Sequence, residues 1–178
     1  MSGRVATLLA VLIGTAPPLH AGEVVLDFER AEIGKPVPEW TEKGVVIKLA
    51  GPPVRSKAVG RVMFFPHIGT GHKGILNAMA TEQAIPVLVT FPRAASSVTL
   101  VLWGSTGCPA LVEALDGNGR VVDQASVPAV PGRKSPGEQV PFVELTVTAP
   151  AIAAIRFSGP RDGEFLAADE IRFTVAGE

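Results

Sequence analysis

In the run "FVELTVTA", Val143, Leu145 and Val147 alternate with Glu144, Thr146 and Thr148. This two-residue period restricts the chain more than any other feature. Successive strand side chains point to opposite sides, so such a segment has one apolar face and one polar face. "IAAIRFSG" and "DEIRFTV" repeat the pattern, placing Ile155 and Phe157, then Ile171, Phe173 and Val175, on buried faces. "VVLDFE", "GVVIKLA", "IPVLVTF" and "SVTLVLW" read the same way, the last two separated by "PRAAS" as a turn-length linker. "ALVEALD" and "RVVDQASV" flank "DGNG", a hairpin signal, because Asp, Asn and Gly tolerate the left-handed conformations of tight turns. "VPAVPGRKSPGEQVP" reads as a long loop within the domain. No window carries a useful helical stripe. About ten short strands with turn signals between them predict an all-β sandwich or barrel.

The chain's 178 residues suit one domain preceded by a targeting segment. Arg4, the apolar run "VATLLAVLI" and the small residue Ala21 form a signal-peptide pattern, too short to span a bilayer. The expectation is a signal peptide at 1–21 and a single β-sandwich domain at 22–178, secreted or periplasmic, without membrane insertion after cleavage. The 16 basic and 17 acidic residues leave a net charge of −1, which gives no basic excess to hold nucleic acid. The single Cys108 has no internal disulfide partner and reads as a buried thiol. With 19 glycines, 16 prolines and no Tyr, the composition suits short strands joined by tight turns.

"LDFE" opens the domain at Leu26 to Glu29, and "ADEIRF" nearly closes it at Ala168 to Phe173. This pairing resembles the galactose-binding-like jelly-roll domains of exported bacterial proteins, which include many carbohydrate-binding modules. In those families an early "FE" and a late pair of aspartates lie on neighbouring strands. Here the late pair reads Asp169-Glu170. The resemblance implies a jelly-roll β-sandwich of roughly ten short antiparallel strands, and recognition of carbohydrate.

Adjacent first and last strands would bring Asp27, Glu29 and Asp169 close. Ca²⁺ takes six to eight oxygen ligands gathered from separate segments, so these three carboxylates are candidate ligands of a structural calcium ion. The competing reading makes them solvated carboxylates at strand ends. Asp169 shares a face with Ile171 on a regular strand, and an inward carboxylate needs a partner.

A glycan face needs an aromatic platform and polar groups to orient hydroxyls. Trp40, in "PEWTEKG", reads as a loop residue and is a candidate platform or an edge cap. Trp103 ends a strand and reads as core or platform. "PHIGTGHKG" supplies His67, His72 and Lys73 as loop groups for the same ligand. The two histidines are five apart, share no strand face and have no further Cys or His cluster nearby, so joint metal binding is not expected. The same string lacks the full spacing of a phosphate loop. "WGSTGCP" lacks the G-x-S-x-G elbow of a hydrolase nucleophile. The chain therefore reads as a non-catalytic module for extracellular glycan. A structural or protein-interaction module of the cell surface is the second reading, and a hydrolase the third.

Overall fold

The computed structural model describes residues 22–34, 37–50, 62–66, 73–77, 86–104, 106–132, 141–158 and 166–177. The expected signal segment and both histidines, His67 and His72, lie outside them. Every described element is a strand: β1 (Glu23–Leu26), β2 (Trp40–Glu42), β3 (Val45–Leu49), β4 (Val62–Pro66), β5 (Lys73–Asn77), β6 (Val87–Gly104), β7 (Ala110–Leu115), β8 (Val121–Val127), β9 (Val143–Ser158) and β10 (Leu166–Val175). All pairings are antiparallel, in the order β4-β5-β10-β6-β9-β7-β8, with β1 on β10, and β3 on both β2 and β6. The fold is an all-β jelly-roll sandwich.

Two long strands build both layers. The first part of β6 (87–90) pairs with β3 and with the end of β9, while 97–104 pairs with β10. The sequence reads "PRAAS" as a turn between two strands; instead the chain bends there and continues. Pro92 has no N–H to give a ladder, and it falls in the register shift between Thr90 and Ala95, where none is required. Likewise β9 joins two segments that read as separate strands, and Pro150 sits between the pairs Thr148–Ser97 and Ile152–Ala95. Each long strand thus contributes to one layer before its bend and to the other after it.

The second departure is Trp40, which opens β2 rather than lying in a loop. The turn after it is Lys43-Gly44, with φ of 50° and 79°, the two left-handed residues that a tight hairpin needs. The "DGNG" hairpin forms as expected between β7 and β8. The Asp116 carboxylate accepts from the N–H groups of Asn118 (2.8 Å) and Arg120 (2.9 Å), and these bonds hold its pKa below the ordinary value.

One apolar core joins the layers. Val45, Ile47, Val89, Val112, Ile155 and Phe157 from one layer meet Leu100, Leu102, Val147, Ile171 and Phe173 from the other. Phe91 and Phe173 touch across it at a ring separation of 4.7 Å. Each such side chain, fully buried, contributes about 1.5–3 kcal/mol. Cys108 is part of this core, as expected of a lone thiol that packs like a small hydrophobe.

Candidate functional site

The first and last strands are neighbours, as the terminal motifs require. Leu26 pairs with Ile171, and Ile75 pairs with Ala168, so β1 and β5 lie end to end along the same edge of β10. Asp169 and Glu170 span the interval between them. Asp169 is 7% exposed and falls at a bulge, where the β6 register shifts between Ala168 and Glu170.

β1 stops at Leu26, so Asp27 and Glu29 leave the strand in a turn. Phe28 is fully buried with φ of 55°, and its packing fixes that turn. Asp27 Oδ1 accepts the N–H of Glu29 at 3.2 Å. Glu29 Oε1 accepts the N–H of Lys73 at 3.2 Å. The Lys73 ammonium donates to the carbonyl oxygens of Glu29 and of Ala31, the latter at 3.0 Å. A proposed metal ligand and a proposed sugar ligand, Glu29 and Lys73, thus meet in one cluster that joins two segments of chain. Among the described residues, no group of three or more His, Cys, Asp or Glu side chains is arranged to hold a metal ion.

Neither tryptophan stands free as a platform. Trp40 is half-buried against the core and donates its indole N–H to Glu42 Oε2 at 3.3 Å; Glu42 itself is 4% exposed. Trp103 is 5% exposed and packs with Ala167, away from the main core, over Gly74.

The outward face of the layer formed by β3, β6, β9, β7 and β8 carries a different set of groups. Lys48, Leu88, Arg156, Glu113 and Gln124 stand directly opposite one another across these five strands. Their sequence neighbours Ile47, Leu49, Val87, Val89, Val112, Ile155 and Phe157 fill the core, so the row faces outward. Lys48 and Gln124 are exposed, and Leu88 is half-buried. Flanking rows add Val46 and Thr90 on one side and Leu111 and Ser126 on the other. At about 4.8 Å per strand, the row spans roughly 19 Å, the reach of a short oligosaccharide.

Arg156 and Glu113 fix the middle of this row. The guanidinium donates to Glu113 through Nε at 2.5 Å and Nη2 at 3.1 Å, a two-pronged pair. That hydrogen bonding holds the Glu113 carboxyl below the ordinary carboxylate range, against a weaker upward pull from burial, and raises Arg156. Both groups therefore remain charged at neutral pH, with their planes set before a ligand arrives.

Solved structures bear a partial likeness to the chain. The chain is similar to the carbohydrate-binding module TmCBM61, solved with β-1,4-galactotriose, at 13% identity and a TM-score of 0.47, covering 83% of this chain and 94% of that one. It is also similar to the family 11 carbohydrate-binding module of a Clostridium thermocellum cellulosomal cellulase, Lic26A-Cel5E, at 12% identity and a TM-score of 0.43, covering 89% and 97%. A third likeness is to the arabinose-bound α-L-arabinofuranosidase MgGH51, at 11% identity and a TM-score of 0.42, where the match spans 79% of this chain but 23% of the enzyme. No family model and no curated protein matches the chain.

The sequence signals for the row are visible only afterwards. Lys48, Glu113, Gln124 and Arg156 each occupy a polar position of an alternating strand, as dozens of solvated residues do. Strand register, which pairs Lys48 with Leu88 and Glu113 with Arg156, is what aligns them.

Proposed function

We propose that this chain is an exported, non-catalytic module that binds extracellular carbohydrate on the outward face of the β3-β6-β9-β7-β8 layer. The observation that carries the proposal is the aligned row Lys48–Leu88–Arg156–Glu113–Gln124. It sets one aliphatic side chain among four hydrogen-bonding groups, which suits a ligand bearing hydroxyls around apolar C–H surfaces. The interlocked Arg156 and Glu113 offer donors and acceptors in a fixed geometry, so little side-chain entropy is lost on binding. The row has one carboxylate, and Arg156 engages both of its oxygens. Glycoside hydrolysis by the usual route needs two carboxyl groups flanking the bond, which supports a binding role over a catalytic one.

A screen of residues 22–178 against immobilised oligosaccharides, followed by calorimetric titration of the best ligand, tests the proposal. Gln124→Ala with Lys48→Ala should weaken binding roughly ten-fold, the loss of about two ordinary hydrogen bonds. Undiminished binding by that double variant would remove this face as the site. A protein-interaction role is the second reading, favoured by the exposed Val121 and Val122 on β8, a strand at the end of the sheet order.

A further inference from the structure

We infer that the Lys73 ammonium is the built-in cation of the junction between the first and last strands, standing where the terminal motifs suggest calcium. Two of the three carboxylates expected as ligands, Asp27 and Glu29, already accept backbone N–H groups within the chain. Calcium would draw on the turn's carbonyl oxygens together with Asp27, Glu29 and Asp169. Lys73 Nζ instead donates to the carbonyls of Glu29 and Ala31, and Glu29 Oε1 turns to the Lys73 N–H. Asp27 Oδ1 caps the N–H of Glu29 within the same turn.

The position of Lys73 explains why it can serve. Lys73 opens β5, two residues ahead of Ile75, which pairs with Ala168. Asp27 follows Leu26, which pairs with Ile171. The gap along β10 between those pairs is bridged by one side chain from β5 reaching the turn that follows β1. An ammonium has three donors and no acceptor, so it can satisfy several carbonyls at once without desolvating a divalent ion. A second lysine makes a like contact on β1 itself: Lys43, in the β2–β3 turn, donates its ammonium to the Val25 carbonyl. Both lysines hold the first strand and its turn to segments elsewhere in the chain. The clasp accordingly depends on Lys73 and not on a metal.

Thermal melting of wild type and Lys73→Met, each in millimolar calcium and in chelator, tests this. Methionine keeps much of the aliphatic stem and removes the charge. The wild type should melt at the same temperature in both buffers, and Lys73→Met should melt roughly 4–10 °C lower in both. A wild-type melting temperature that rises with calcium would overturn the inference, as would a Lys73→Met protein that melts with the wild type. Should the variant fail to fold, calcium titration of the wild type by calorimetry decides the matter. A flat titration supports the clasp, and stoichiometric binding abolished by Asp169→Asn overturns it.

Discussion

Gly74 shows how single atoms set the packing of the outer Trp103 cluster. A Cβ at that position would lie 3.0 Å from Trp103 Nε1 and 3.3 Å from the Ala167 Cβ, so the indole rests on bare backbone. Gly74→Ala should therefore cost about 1–3 kcal/mol by chemical denaturation. Gly117→Ala, with nothing within 4 Å of the new atom, should stay within about 0.5 kcal/mol of wild type. Equal effects from the two changes would contradict the packing account. The Glu113–Arg156 pair gives a pH-dependent case. The folded-state pKa of Glu113 lies below its ordinary 4.5, so the pair's contribution is present above that value and is lost as pH falls through the lower, folded value. Because Arg156 is 39% exposed, solvent screens the pair, and about 1 kcal/mol is its expected size. Arg156→Met should be less stable by that amount at neutral pH, and the gap should narrow below pH 4.5. A gap that is constant down to strong acid would mean that lost stem packing, not charge, is responsible. At this scale, the sequence makes the burial of Cys108 legible, because a lone cysteine with no disulfide partner packs as a small hydrophobe. It does not reveal that Lys73 engages Glu29, because 44 residues separate them and no local pattern encodes the contact.

Among the strands, alternation identifies most segments and turn chemistry identifies the β7–β8 hairpin. Continuity is what alternation cannot convey. Pro92 and Pro150 read as breaks, yet each lies where the ladder shifts register and lacks a bond to lose. The β2–β3 hairpin is hidden for the opposite reason: Lys43 adopts φ of 50°, a conformation its residue type rarely takes, so "EKGV" carries only half of a turn signal. The burden then falls on Gly44. Its φ of 79° and the 3.3 Å approach of a would-be Cβ to Pro92 Cγ predict that Gly44→Ala destabilises the domain by about 1–3 kcal/mol. Loss of amide protection confined to 40–49 would accompany it in hydrogen exchange. Unchanged protection of those amides would show that the hairpin does not depend on this turn.

For the molecule as a whole, the two bent strands matter most, because they bring segments from across the chain into one outward row. The terminal motifs place β1 beside β10, and the core-facing residues follow from periodicity. The ligand face does not follow from either, since it exists only in the register of five strands. Backbone NMR of isotopically labelled 22–178, titrated with the best-binding oligosaccharide, tests the central claim most directly. The proposal predicts shift changes clustered at 46–48, 88–90, 111–113, 124–126 and 154–156, one stripe across the sheet. Changes centred instead on Thr99, Thr146 and Arg172, which belong to the other layer, or on the turn at 27–31, would contradict it.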